Sequence, residues 1–245
     1  MNTGKREHII ATLQADILKL QGYKHAASAG LDPGLGPINS AFPNHSFPIG
    51  AVHEFLADTL EDTAATCGFI SGILGRLTGD YGTIIWIGPS PKVFPPALRN
   101  FGVKPENVFF IKLQSPQHIL WAMEEALKCK AISAVIGEIR DLSFPASRRL
   151  QLAVEESLVT GFVLRQKTKS LTTTASVSRW RVTSLPSSPI DDLPGLGFPA
   201  WRVELLRIRN GKPGTWDMTW TPGGFKPLTQ DETSIQGLTQ NRKAG

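Results

Sequence analysis

Sulfur and histidine are scarce in this chain, whose 245 residues include two cysteines, three methionines and five histidines. Cys67 and Cys129 stand far apart with no CxxC or Cys/His spacing, which leaves no basis for a disulfide framework or a structural zinc site. A reducing cytoplasm is the compartment this suggests. Long hydrophobic runs are missing too. No stretch approaches the roughly 18 apolar residues that a membrane-spanning helix needs. The opening Met1-Asn2-Thr3-Gly4-Lys5-Arg6 runs into a helical pattern rather than an apolar signal core, so neither export nor membrane contact is expected.

Catalytic motifs are absent as well. A phosphate-binding P-loop needs GxxxxGK(S/T), because glycine amides wrap the phosphates, the lysine neutralises them and the hydroxyl holds magnesium. Gly-Lys occurs only at Gly4-Lys5 and Gly211-Lys212, followed by Arg6 and Pro213. Where the first strand should turn into its helix stands Ala57-Asp58-Thr59-Leu60-Glu61-Asp62-Thr63, whose carboxylates would repel a triphosphate. The dinucleotide fingerprint GxGxxG fails at Asn39 after Gly34-Leu35-Gly36, and at Ala200 after Gly195-Leu196-Gly197. His53-Glu54 opens like the zincin HExxH, but Ala57 holds the second histidine's place and the segment reads as strand. GxSxG does not occur, which removes the usual serine elbow. Glu124-Glu125 and Glu155-Glu156 lie on expected helices, where adjacent side chains point about 100° apart, so they read as solvated faces. Trp86, Trp121, Trp180 and Trp201 sit in apolar patterns and read as core. No catalytic residue, metal or cofactor is expected.

What the chain does have is a local basic excess and a regular alternation of elements. Its formal net charge is +5, and five basic residues between Arg165 and Arg181 (Arg165, Lys167, Lys169, Arg179, Arg181) meet no acidic one, so 5 − 5 leaves the rest neutral. Lys167, Lys169, Arg179 and Arg181 are therefore the candidates for contact with DNA phosphates or an acidic protein surface. The plainer reading is a solvated loop and strand face.

Ile10, Leu13, Ile17 and Leu20 follow 3-4-3 spacing, which places one apolar stripe on a helix from about Glu7 to Leu20. Composition divides the chain into an N-terminal helix (1–23), a Gly/Pro-rich linker (24–46), one core domain (47–226) and a polar, disordered tail (227–245). Within the core, strands at Ala51–Leu56, Thr83–Ile87, Val108–Leu113, Ala131–Gly137 and Gly161–Leu164 alternate with helices at Thr63–Leu77, Pro95–Phe101, Pro116–Lys128 and Ala146–Leu158. Such alternation means βαβ units and a mainly parallel sheet, with the continuously apolar Ile84–Ile87 and Ala134–Ile136 at its centre. After Arg165, Ser178–Leu185, Trp201–Arg209 and Thr215–Thr221 read as an antiparallel meander extending that sheet.

From Ala27 to Phe225 the order of features resembles the RecA core. Phe47-Pro48-Ile49-Gly50-Ala51-Val52-His53-Glu54-Phe55 is similar to the approach to its first core strand. Ala175-Ser176-Val177-Ser178-Arg179 and Arg202-Val203-Glu204-Leu205-Leu206 are similar to two later strands. Pro96-Ala97-Leu98-Arg99-Asn100-Phe101-Gly102-Val103, Leu120-Trp121-Ala122-Met123-Glu124-Glu125-Ala126-Leu127 and Arg148-Arg149-Leu150-Gln151-Leu152-Ala153 resemble phrases of the ImuA family. That family is RecA-like without the ATP site and occurs with a Y-family polymerase-like partner, ImuB.

The resemblance implies an α/β RecA-like core that acts as a non-catalytic adaptor in bacterial DNA-damage mutagenesis. Its expected partners are an ImuB-type protein and RecA, with self-association through Ile10, Leu13, Ile17 and Leu20 and weak or absent direct DNA binding. Glu138 or Asp141 echoes a magnesium-binding acid, with no lysine beside it to serve a nucleotide. The first DNA loop is reduced to Asp141-Leu142-Ser143-Phe144-Pro145, the second to Gln166–Thr174. The same resemblance leaves two alternatives, a SulA-like division inhibitor and a degenerate RecA-like DNA-binding ATPase.

Overall fold

The computed structural model describes residues 33–90, 93–168, 172–188 and 197–228. Its regular elements are β1 (Val52–Ala57), α1 (Leu60–Thr78), β2 (Thr83–Gly88), β3 (Val108–Lys112), α2 (Pro116–Lys128), β4 (Ile132–Ile139), α3 (Phe144–Ser157), β5 (Thr160–Gln166), β6 (Ser178–Ser188), β7 (Phe198–Ile208), β8 (Gly214–Thr221) and β9 (Gly224–Pro227). They build one nine-stranded sheet in the order β3-β2-β4-β5-β1-β6-β7-β8-β9. Pairing is parallel from β3 through β6 and antiparallel from β6 to β9. This is the α/β class, parallel core and C-terminal meander expected of a RecA-like chain. Ser178–Ser188 does double duty, since it opens the meander and also pairs parallel to β1.

Alternation along the strands sends side chains to two cores. Phe55, Trp86, Ile136, Phe162 and Trp180 pack on the α1 face. Val52, Ile87, Val135 and Val163 pack on the opposite face, under α2 and α3. The helix α1 is enclosed on nearly all sides. Its small residues allow this, and its hydroxyls are satisfied internally, as when Ser71 Oγ donates to the Cys67 carbonyl at 2.7 Å. Phe101, Trp201, Trp220 and Phe225 form an aromatic cluster beside it.

Glycine lets that cluster approach closely. A Cβ on Gly72 would lie 2.6 Å from the Phe225 ring, and one on Gly75 would collide with the Phe101 carbonyl oxygen. Helix propensity alone favours Gly75→Ala by up to about 1 kcal/mol. The clash should reverse the sign, costing about 1–3 kcal/mol as overpacking. A fall in the urea midpoint checks this; a rise would show that the Phe101 carbonyl gives way.

Several expectations are corrected. The apolar strand at Ile84–Ile87 belongs to β2, next to the sheet edge at β3, while β1 and β5 occupy the middle. The short helix expected at Pro95–Phe101 does form over those residues, as a 3-10 helix ending on Gly102 in the left-handed region. Trp121 is 65% exposed, on the outer side of α2. From Pro33 onward, the stretch whose composition marks a linker forms two 3-10 turns, and Leu35, Ile38 and Phe42 enter the core. The N-terminal stripe and nearly all of the tail lie outside the described residues.

Candidate functional site

The first place to look is beyond the C-terminal ends of the parallel strands, where open α/β sheets bind ligands. There β1 ends at Ala57 and α1 begins at Leu60, with only Asp58 and Thr59 between them. A reciprocal cap closes the turn. Asp62 N–H donates to Thr59 Oγ1 at 3.0 Å, and Thr59 N–H donates to Asp62 Oδ2 at 3.2 Å. Two of the amides at this helix start are thus bonded to the chain's own side chains, beside a carboxylate. Alongside, the Lys167 N–H donates to the Ala57 carbonyl at 3.0 Å. The acid Glu138 is buried and already occupied, accepting from Trp86 Nε1 at 2.6 Å and Gln166 Nε2 at 3.2 Å. Asp141 is exposed and lies 4.0 Å from Arg165 Nη2.

A second cluster lies within the sheet. Glu54, fully buried on β1, accepts from Arg165 Nη1 of β5 at 2.6 Å, Arg179 Nε of β6 at 2.9 Å and Thr174 Oγ1 at 2.7 Å. Charge-assisted bonds of this length are the strong kind. Residues 167–177 connect β5 to β6, and three arginines hold the described part of that crossover by its backbone. Arg179 donates to the Thr172 carbonyl. Arg207 donates to the carbonyls of Thr174 and Ser176, at 3.0 and 2.7 Å, and Arg209 to that of Ala175 at 3.1 Å. Burial, and then the neighbouring Arg179 charge, lower the pKa of Arg207.

His53 and Ser178 look at first like a catalytic dyad. Ser178 Oγ is 2.6 Å from His53 Nδ1, and His53 Nε2 lies 2.7 Å from the Pro48 carbonyl. Both residues are fully buried, and Trp180 Nε1 also donates to Ser178 Oγ at 2.6 Å. A tautomer with the proton on Nε2 satisfies every atom of the set. The arrangement positions strands and offers no route to a substrate. Burial pushes the His53 pKa down to about 4, against a smaller upward pull from the Pro48 carbonyl. The Cys67 thiol is pushed up, by burial first and the Glu138 charge second, and is thereby kept unreactive.

Three of the four basic residues singled out by sequence lie among the described residues. Lys167 is exposed with φ 51°, and Arg181 is half-buried with Nη1 3.9 Å from Glu204. Arg179 points inward to Glu54, while Lys169 lies outside the described residues. Of the three that are described, Arg179 is committed to the interior. Sequence reasoning passed over Glu54 and Arg207. A usable signal was present, because a charge inside the apolar run Phe162-Val163-Leu164-Arg165 demands a buried partner. Among the described residues no group of His, Cys, Asp and Glu could hold a metal, and no helix is long and apolar enough to cross a membrane.

No family model matches the chain. A curated relative, Protein ImuA of Caulobacter vibrioides, is 33% identical over 202 residues, covering 78% of this chain and 83% of the relative. The chain belongs to the ImuA family. The same protein from a second Caulobacter vibrioides strain matches equally. The cell division inhibitor SulA of Photorhabdus laumondii subsp. laumondii is 29% identical over 96 residues, only 39% of this chain and 54% of that protein. The ImuA-family match therefore spans most of the core, whereas the SulA likeness is partial.

Proposed function

We propose that this ImuA-family chain is a non-catalytic adaptor of bacterial DNA-damage-induced mutagenesis, in the cytoplasm, joining an ImuB-type polymerase-like protein, and RecA, at damaged DNA. The observation that carries the non-catalytic part is the β1–α1 turn. Asp58 and Thr59 alone stand between strand and helix, and the amides of Thr59 and Asp62 are bonded within the cap, which supports a turn not built to wrap a triphosphate. Family membership supports the place in mutagenesis. Ile10, Leu13, Ile17 and Leu20 are assigned to a contact in trans, with a second copy of the chain or a partner such as RecA, because four apolar side chains left in water forgo about 1.5–3 kcal/mol each.

One set of measurements on purified full chain tests the reading. Calorimetry with magnesium-ATP should give no saturable heat at micromolar concentration, the polymerase-like partner should bind, and deletion of residues 1–23 should remove self-association or RecA binding with the melting temperature of the core nearly intact. Saturable ATP binding would sink the non-catalytic reading, and failure of the partner to bind would sink the adaptor. The partial SulA likeness favours division inhibition as a second reading. Division arrest when the chain is produced in cells lacking the polymerase-like partner would favour it instead.

A further inference from the structure

The two edges of the sheet are built differently. At one edge β9 covers only Gly224–Pro227. Leu228 N–H donates to the Asp217 carbonyl of β8, so by alternation along the strand Phe225 and Pro227 are the positions turned outward, and proline has no N–H to give. A short strand ending in proline is a blunted edge. The opposite edge is β3, Val108-Phe109-Phe110-Ile111-Lys112, which holds no proline and has its one charge at the end. Among the described residues no strand pairs with its outer side.

The backbone of β3 fixes which groups that outer side presents. Leu113 N–H donates to the Gly88 carbonyl at 3.0 Å. Bonding directions alternate in a parallel ladder, so Phe109 and Ile111 also turn their backbone groups to β2, while Phe110 and Lys112 turn theirs to the open side. Val108 adds its carbonyl there, since its N–H is donated to the Pro105 carbonyl. The side chains alternate too. Phe110 packs against Trp86 on the α1 face, so Phe109 and Ile111 point to the opposite face, where they are 56% and 37% exposed.

We propose that this edge pairs with the same edge of a second copy of the chain, antiparallel, about a two-fold axis at Phe110. In that register the two Phe110 residues exchange both backbone bonds, and each Lys112 N–H meets the Val108 carbonyl of the other copy. Phe109 of each copy then stands directly opposite Ile111 of the other as a non-hydrogen-bonded pair, the closer kind, and the exposed apolar side chains cover one another. Each Lys112 arrives beside the other copy's Val108, two residues from its exposed Glu106, and the two lysines stay at opposite ends of the pair. These matches of apolar groups and of charge favour a second copy as the occupant. Pairing of β3 with the β9 edge of another copy is opposed by Pro227, so the association closes at two chains with only blunted edges outside. The inference rests on neither the adaptor reading nor the N-terminal stripe.

Cross-linking of the full chain reads the register directly, with the exposed Cys129 removed by Cys129→Ser and Cys67 buried. A mixture of Phe109→Cys chains and Ile111→Cys chains should oxidise to a disulfide dimer, because those positions lie opposite each other, while either chain alone should not. Sedimentation of full-length chains measures the strength. Phe109→Glu and Ile111→Lys, both at exposed side chains, should each weaken the association roughly tenfold or more, because both copies lose the pair and a charge is left facing an apolar neighbour. The double variant should regain it, since the register sets the new carboxylate of one copy against the new ammonium of the other. Wild type that does not associate, cross-linking of either chain alone to the extent of the mixture, or a double variant as weak as the single ones would overturn the pairing.

Discussion

Glu54→Gln should cost the fold about 3–5 kcal/mol, a large share of the 5–15 kcal/mol that a domain of this kind has. The replacement keeps the volume and removes the charge. Arg165, 1% exposed, and Arg179, 13% exposed, then lose their shared counterion in the sheet interior, where no water can replace it. The effect should spread to the 172–176 crossover, because Arg179 and Thr174 anchor it to Glu54. Urea denaturation with an unchanged slope measures the loss, and a cost below about 1 kcal/mol would contradict it. A triple variant, Glu54→Leu with Arg165→Met and Arg179→Leu, should be milder than Glu54→Gln alone, since it removes the buried charges together.

The chain should also lose stability in mild acid through His53. Its folded pKa of about 4 lies below the ordinary 6.5, so the unfolded chain takes up a proton that the folded one refuses. Between those values the unfolded state binds more protons, and stability therefore falls as pH falls. Full passage through that window corresponds to roughly 3 kcal/mol, from about 2.5 pKa units at 1.36 kcal/mol each. Above pH 6.5 the contribution is flat. Urea midpoints from pH 7.5 to 4 measure it, with His53→Gln as the comparison that removes this proton and leaves every carboxylate in place. If wild type and His53→Gln lose stability in parallel, the histidine is not the cause.

Much of the fold was legible because its signals are local. Short apolar runs at Thr83–Ile87 and Val108–Leu113, set against helical spacing at Pro116–Lys128, mark a βαβ chain whatever lies beyond it. The missing P-loop motif is equally a matter of consecutive residues. Trp121 was misread for a definite reason. It sits in an apolar phrase, but the turn of the helix carries Ile119 and Met123 inward and leaves the indole outside.

Strand order could not be read in this way. Continuous apolarity made Ile84–Ile87 look central, yet β2 neighbours the edge, where α2 packs against it and Trp86 lies against Phe110 of β3. The strands at the middle carry His53, Glu54 and Arg165, the residues that composition would send to the surface.

By itself, then, the sequence determined the α/β class, the elements in their order, and a strand-to-helix turn with no phosphate-binding glycines. These follow from backbone propensities and side-chain spacing within a few residues. Only the tertiary structure decided which charges are buried and that Arg179 turns to Glu54. Glu54 meets Arg165 across 111 positions and Arg179 across 125. Pairings over such separations depend on sheet order and register, and one residue of slip would turn Glu54 to the opposite face.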